Sequence, residues 1–469
     1  MTTRLLAIAA CLSLMGPAAC NKEQNRSGSG KRASHMVGRR AGGGEFDGLY
    51  VETRPFMGTI FRMIVAINPQ APDQKAERNR AASAVRAAFR AVADIEAAMS
   101  DHIPGSQVSL LNSRAARALS SGRPVTAFLD VSPDVMAVFQ EALQASRLTS
   151  GAFDVSYAAL KGPWGMKGDG PHRLPTQEEI NKALPFVGYQ GIHLDPQNNR
   201  IQLKAGMRID LGGVAKGYAL DIASKVLKNA GFPNHIIYGG GDLNVSGRRP
   251  DRPWRVGIQD PGKRGDYFAV LSLSNMAVVT SGDYERYFMK NGRRYAHIID
   301  PRTGRPARGL HSVTVVADRA VYADAMATGL FVLGLARAKR LVERIPGTEA
   351  IFVTQQGKVV ITSGLAGKVE ILHPPTIAGH RAMSGAHGKA SPGRKVHRKS
   401  PTRPQPRAVT PGRNGQISPR REGRPIAGSR TSTRRSGPSH APRGEARPPQ
   451  RSSGAARPRP AARARPRHR

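Results

Sequence analysis

The sequence predicts an α+β fold of mixed, largely antiparallel sheets with packed helices, and three observations carry that expectation. Short β-like runs cluster in the second half of the chain and are separated by glycine turns: "NHIIYGGGDLNVSG" (234–247), "WRVGIQD" (254–260), "NMAVVTSG" (275–282) and "HSVTVVA" (311–317). Helical periodicity is confined to a few long stretches that interrupt these clusters, unlike the strand-helix alternation of a βαβ winding. Residues 48–373 suffice for one large domain or two intimately joined ones, without internal repeats.

At the N-terminus, "MTTRLLAIAACLSLMGPAAC" (1–20) sets Arg4 ahead of an apolar run from Leu5 to Met15, with small residues before Cys20. This is the layout of an export signal, and the run is too short to span a bilayer. Cys20 stands where a bacterial lipoprotein carries its lipid, so a membrane anchor is expected; cleavage after an Ala-x-Ala-like site is the alternative. Cys11 and Cys20 are the only cysteines, which leaves the mature fold no internal disulfide and no Cys-based metal site. A polar, flexible linker fills 21–47. "GTIFRMIVAI" (58–67) then reads as a strand and "ERNRAASAVRAAFRAVADIEAAM" (77–99) as an amphipathic helix. "DVMAVFQEALQASRLT" (134–149) reads as a second helix, with Ser132 and Pro133 as its cap and first-turn residue. "ADAMATGLFVLGLARAKRLVERI" (323–345) predicts a buried helix, and "AIFVTQQGKVVITS" (350–363) a closing hairpin.

The formal net charge of +39 is unevenly placed: residues 374–469 hold 24 Lys and Arg against 2 acidic residues and no aromatic ring. Such a segment cannot bury enough apolar surface to offset the cost of ordering, so a disordered basic C-terminal tail is expected. It either attaches electrostatically to anionic polymer or lipid, or is a solvated extension with no partner. The remainder is only moderately basic, so the global charge says little about the folded part.

"RIDLGGVAKGYALD" (208–221) runs through Gly212-Gly213 into a helix with Lys216 in its first turn. The stretch is either an anion cradle at a helix N-terminus or a tight turn that packs a helix on a sheet, and it lacks the Walker order. "TSGDYERYF" (280–288) and "RYAHIIDPRTGRPA" (294–307) concentrate Ser281, Asp283, His297, Asp300, Arg302 and Thr303 in turns, where reactive groups commonly lie. The 300–304 stretch reads equally as a plain β-turn, and His297 equally as a packed histidine. In "ADAMAT", Asp324 and Thr328 share a helix face. Mg²⁺ with a phosphate would partner both, whereas helix capping by Asp324 would leave Thr328 unexplained.

"FMGT" (56–59), "MSDHIPGSQVSLLN" (99–112), "GAFDVS" (151–156), "IDLGGVAKGYALD", "GGGDL" (239–243), "TSGDY" with "HIIDPRTGRP", and "SVTVVA" with "ADAMAT" follow one another in a recognisable order. Across 56–364 the chain resembles the bacterial FAD:protein FMN transferases, the ApbE-type flavin transferases. The resemblance implies an ApbE-type, T-fold-like catalytic domain that binds FAD with Mg²⁺ on its pyrophosphate. FMN would be joined by a phosphoester to a Thr or Ser hydroxyl of an exported acceptor protein of the electron-transfer subunit type, with release of AMP. It further implies FAD contacts at Met57, His102, Ala152, Phe153, Asp154, Asp210, Lys216 and Ile298. The metal site would comprise the Gly213 backbone oxygen, Asp324 and Thr328, and His297 would be the base, with Asp283 the second candidate. His102 stands where many members carry tyrosine, and an imidazole can stack on a ring in its place. The implied location is the bacterial cell envelope, anchored and facing the periplasm. Two other readings stand beside this one: a pyrophosphatase splitting FAD to FMN and AMP, and a non-catalytic flavin-binding protein tethered by its tail. "SGAF", "SGAH" and "SGAA" lack the second hydroxyl of the family's acceptor pattern, so the chain is not expected to be its own acceptor.

Overall fold

The structure, a computed structural model, describes residues 48–122, 127–166, 172–249 and 252–377. The expected export signal, Cys20, the linker and the tail from residue 378 lie outside the described residues.

The described chain opens with the hairpin β1 (Leu49–Phe56) and β2 (Thr59–Ala66), followed by α1 (Gln74–Met99), α2 (Gln107–Ser120), β3 (Leu129–Asp130) and α3 (Pro133–Leu148). After α4 (Gln177–Ala183) come β4 (Ile192–Asp195), β5 (Arg200–Leu203) and α5 (Ala215–Asn229). Seven strands succeed α5: β6 (His235–Gly239), β7 (Asp242–Ser246), β8 (Trp254–Gln259), β9 (Tyr267–Leu273), β10 (Met276–Gly282), β11 (Tyr287–Lys290) and β12 (Arg293–Ala296). Then follow β13 (Ile299–Asp300), β14 (Arg305–Pro306), β15 (Leu310–Ala317), α6 (Ala320–Leu333), α7 (Leu335–Val342), β16 (Glu349–Thr354), β17 (Val359–Ile361) and β18 (Val369–Ile371).

Eight strands form one sheet in the order β1-β2-β6-β7-β10-β15-β16-β17, with antiparallel pairing throughout. Side chains alternate across it because the strand period is two. Phe61, Met63, Val65, Ala277, Val279, Val313 and Val315 face the helical side, where they pack with α1, α3, α5 and α6. Val245, Val278, Val316 and Ile351 face the other side and meet Trp254, Val256, Phe268 and Leu271 of the β18-β9-β8 sheet. With both faces covered, central strands read as apolar runs.

Helix ends follow the sequence signals where those are local. Ser132 accepts from the Val135 amide at 3.3 Å with Pro133 in the first turn of α3, and Asp73 caps α1 through the Ala76 amide at 2.9 Å. The helix expected at 323–345 is instead two. It starts at Ala320 and stops at Leu333, because Gly334 takes φ +74°, a left-handed conformation that ends the run before α7 begins. α6 is buried around nearly its whole circumference, and two glycines let its neighbours approach. A Cβ on Gly217 of α5 would lie 2.2 Å from the Ala320 carbonyl oxygen, and one on Gly329 would lie 2.6 Å from Thr149 Cγ2.

Gly217→Ala therefore meets backbone rather than a side chain that can turn away. It is expected to cost about 3 kcal/mol or more of stability, at the upper end of overpacking penalties, read as a lowered urea midpoint with an unchanged slope. A change below about 0.5 kcal/mol would show that α5 and α6 separate freely.

Candidate functional site

The site is built where α5 and α6 meet. Asp324, in the second turn of α6, accepts from the Gly217 amide in the first turn of α5 at 3.0 Å. In return Asp221 of α5 accepts from the Ala320 and Val321 amides that open α6, at 2.9 and 3.0 Å. Each helix thus caps the other's unpaired N-terminal donors. Asp324 is not the cap of its own helix: Asp221 has that task, which leaves one Asp324 oxygen turned to Lys216.

Lys216 lies between two carboxylates, Asp242 at the start of β7 and Asp324 at 3.4 Å. Both are buried, at 2% and 3% exposure, so two anions share one ammonium away from water. Burial works against the Lys216 charge, but Asp242 and Asp324 outweigh it and hold the lysine well above its ordinary pKa. Burial, resisted by Lys216 and reinforced by Asp324, pushes Asp242 up to about 7. The lysine stays charged, and the surplus negative charge falls on the carboxylates.

Thr328, one turn along α6 from Asp324, shares a hydrogen bond with Ser281 at 3.1 Å. A Cβ on Gly213 would sit 3.6 Å from Thr328 Oγ1 and 3.4 Å from the Phe153 ring. The chain turns at 212–214 ahead of α5, as the double glycine leads one to expect, and neither Gly212 nor Gly213 has a positive φ. What glycine provides is room: the backbone at 213 approaches Thr328 across a gap that a methyl group would fill.

A second group surrounds Asp210. Tyr157 donates to it at 2.7 Å, the Gly212 amide donates at 2.7 Å, and Lys161 pairs with it while reaching Asp101 at 3.3 Å. Burial raises the Asp210 pKa, but the charge and hydrogen bonds of Lys161, Tyr157 and Gly212 prevail and hold it below the ordinary value. His102 is joined to this group only through Asp101, 3.3 Å away, and its side chain is 74% exposed. Met57 occupies the tip of β1–β2 at φ +51° beside Gly58 at +67°, a two-residue turn in which methionine is strained.

Other expected contacts turn out to be occupied by the fold. Asp154 accepts from the Ser156 amide and hydroxyl at 2.8 and 2.6 Å and from the Tyr189 amide at 2.6 Å. Both its oxygens hold the 154–156 turn against 189, so Asp154 shapes the site rather than facing it. Ala152, Phe153 and Ile298 are core residues at 1%, 4% and 5% exposure, and only the Phe153 ring borders Gly213. Asp283 is engaged by His311 Nδ1 at 3.0 Å and Arg294 at 3.3 Å, a poor position for a general base.

His297 is better placed. Its backbone amide and its Nδ1 both donate to the Arg286 carbonyl, at 3.0 and 2.9 Å, which fixes the tautomer and leaves Nε2 as an acceptor. Burial, with the Arg286 and Lys216 charges adding to it, lowers its pKa to about 4, so the ring is neutral at physiological pH.

The structure brings together Gly213, Lys216, Asp324 and Thr328, with Asp210 and His297 close enough to interact electrostatically. Sequence reasoning missed Asp242, Lys161 and Tyr157. For Asp242 the signal was present, a carboxylate directly after the "GGG" turn at the start of a strand.

Asp242→Asn matches one carboxylate to one ammonium. At pH 8 without divalent cations the variant is expected to be more stable than the parent, because the parent's folded carboxyl binds its proton more tightly than the unfolded one does. The advantage shrinks as pH falls through about 7 and vanishes near the unfolded value of about 4, as thermal denaturation across pH would record. A variant less stable than the parent at pH 8 would contradict this charge assignment.

The ApbE family model matches residues 57–352. FAD:protein FMN transferases of Haemophilus influenzae and Vibrio cholerae are 32% and 31% identical over 259 and 294 residues. These alignments cover 54% and 62% of this chain and 72% and 83% of those proteins. Among solved structures, the ApbE protein of Thermotoga maritima superimposes with a TM-score of 0.60 at 32% identity, covering 68% of this chain and 99% of that one. The flavin transferase ApbE from Vibrio cholerae gives 0.59 at 26% identity with the same coverage. With the family's match running from the Met57 turn to β16, through every residue of the cluster just described, the chain belongs to the ApbE family.

Proposed function

We propose that the protein is an FAD:protein FMN transferase that uses Mg²⁺ to move FMN from FAD onto a Thr or Ser hydroxyl of an exported acceptor, releasing AMP. The observation that carries this reading is the buried pair Asp242 and Asp324 sharing Lys216 beside the gap between Gly213 and Thr328. An uncompensated buried negative charge, a hydroxyl and an approachable backbone form a hard-oxygen donor set that suits Mg²⁺ better than a softer metal. Gly213, Asp324 and Thr328 would hold the ion, which when bound supplies charge neutralisation to the pyrophosphate.

The chain's own residues account for the rest. Lys216 offers a fixed positive charge to phosphate oxygens, and its burial strengthens that interaction. The acceptor hydroxyl gives its proton to His297 Nε2 as its oxygen bonds to the FMN-side phosphorus, and the bond to the bridging anhydride oxygen breaks with AMP leaving. Asp210, held by Lys161 and Tyr157, is oriented by them for contact with the nucleotide. The N-terminal segment supports export and anchoring at Cys20 on the periplasmic side, and the tail supports attachment to anionic surfaces.

Incubating the protein with FAD, Mg²⁺ and exported candidate acceptors, read by mass spectrometry, is expected to show acceptor gaining the mass of one FMN. FMN and AMP appearing with no modified acceptor would assign hydrolysis instead. Asp324→Ala is expected to abolish transfer, and His297→Ala to lower kcat by about 10²–10⁴-fold. Because neutral His297 takes the proton, the rate should be insensitive to this group from pH 8 to about pH 5 and fall as pH drops through about 4. An undiminished rate in His297→Ala would remove it from the mechanism.

A further inference from the structure

We propose that the groove between α7 and the edge strand β17 takes an extended, acidic segment of another protein as an added strand. The inference goes beyond the flavin-transfer reading and does not depend on it.

β17 is the last strand of the eight-stranded sheet, so one of its sides has no strand beside it among the described residues. Which backbone groups lie on that side follows from its pairing with β16. The Thr354 amide donates to the Lys358 carbonyl and the Thr362 amide to the Ala350 carbonyl, both at 3.0 Å. Lys358, Val360 and Thr362 therefore turn their backbone groups toward β16. In an antiparallel pair this alternates, which leaves the amides and carbonyls of Val359 and Ile361 directed outward, set for an extended chain to pair with.

The space beside that edge is cationic. A groove of about 470 Å³ lies between α7 and β17, lined by half-buried Leu335 and Val360 and by exposed Arg340, Arg344 and Lys358. Glu343 is the one carboxylate in its lining, and it is engaged: Lys339 donates to it at 2.6 Å and the Ser363 amide at 3.2 Å. Arg340, Arg344 and Lys358 have no carboxylate partner among the described residues. Cations near the end of a helix are ordinary, since they face its negative dipole, and that accounts for Arg340. It does not account for Lys358, which reaches the same groove from the β16–β17 turn. Lys358 and Val360 share one face of the strand, the face on which Val360 meets the helical side of the core. An added strand would lay alternate side chains on that face, among the three cations.

Charge also decides between occupants. Ile377 lies beside Gly357, where an added Cβ would be 3.0 Å from Ile377 Cγ1, so the chain leaves the described residues next to Lys358. Residues 378–469, which follow, carry 24 Lys and Arg against 2 acidic residues, the wrong sign for this groove. Basic side chains guard a bare edge against a second copy of the same basic chain, and by the same sign they admit an acidic one.

Hydrogen–deuterium exchange of the full-length protein tests this with two peptides, one alternating valine with aspartate and one alternating valine with lysine. The acidic peptide is expected to slow exchange of the Val359 and Ile361 amides, read in the 358–362 segment, by about tenfold or more at saturation. The basic peptide should leave them unchanged. Peptide held elsewhere on the chain, by the basic C-terminal residues included, does not move this readout. Arg340→Glu/Arg344→Glu should raise the peptide concentration needed for half-protection by about tenfold or more, with thermal unfolding and FAD binding by flavin fluorescence unchanged. Lys358→Glu, from the other wall of the groove, should raise it by about threefold and stands in where the double variant does not fold. Protection by neither peptide, equal protection by both, or full protection in the charge-reversed variants overturns the proposal. So does protection of 358–362 by phosphatidylglycerol vesicles where the acidic peptide gives none, since the groove would then belong to a membrane. None of these outcomes bears on flavin transfer, which the acceptor assay reads separately.

Discussion

The exchange of caps between α5 and α6 is the constraint on which the rest of the site depends. Asp221 closes the start of α6 and Asp324 closes the start of α5, so neither helix can shift along the other without exposing buried amides. Each cap contributes about 1 kcal/mol by the usual measure, which is modest, but the geometry they impose is not. They hold Asp324 beside Lys216 and Thr328 beside Gly213, and the absent side chain of Gly217 makes the approach close enough for both. Asn244 adds a third tie by donating to Asp221 at 2.9 Å, which links the helix pair to β7 and so to Asp242. Position thus passes from the packing of two helices to the placement of three charges.

Those charges are not arranged for stability. A buried carboxylate beside one lysine is already a costly pairing, and a second carboxylate in the same pocket adds repulsion that the lysine cannot cancel. His297 is likewise held neutral where a solvated histidine would titrate near neutrality. The strained Met57 turn is a third local expense, on the hairpin next to the glycine turn that precedes Asp242. Three departures from local optimum in one region, inside a scaffold with two well-packed sheet faces, are the signature of a site selected for chemistry.

What the sequence could show depended on how far each cause lay from its effect. Ser132 and Pro133 announce α3 because the amides they affect are within three residues, and the strand clusters announce the antiparallel sheets because alternation and glycine turns are local. Asp221 capping α6 has no local trace, since its partners lie 99 and 100 residues away, and the same distance hid the true role of Asp324. Asp154 and Asp283 looked available because their satisfiers, Tyr189 and His311, lie at separations of 35 and 28. Gly212 and Gly213 mark a tight turn in the sequence, but that a Cβ there would approach Asp210, Phe153 and Thr328 is visible only in the structure. The family resemblance supplied the cluster itself, which neither periodicity nor composition could have assembled from four segments of the chain.

The path between β10 and β15 bears on why the reacting groups are where they are. These strands are adjacent and antiparallel, with Gly282 paired to Ser312, so a short turn would join them. The chain instead leaves the sheet for residues 283 to 309 and builds β11, β12, β13 and β14 before returning. Since the sheet and helices are complete without that excursion, its stability comes from ties of its own: the aromatic stack on Trp164, the Gly304 turn against Leu160 and Ile180, and the two bonds from His297 to Arg286. Lys216, Asp324 and Thr328 sit on the interlocked helices, tied to their neighbours, and His297 sits on an excursion that can differ without disturbing the core. On the proposed transfer reading, such a division lets the nucleotide chemistry stay constant while loop residues on the excursion change.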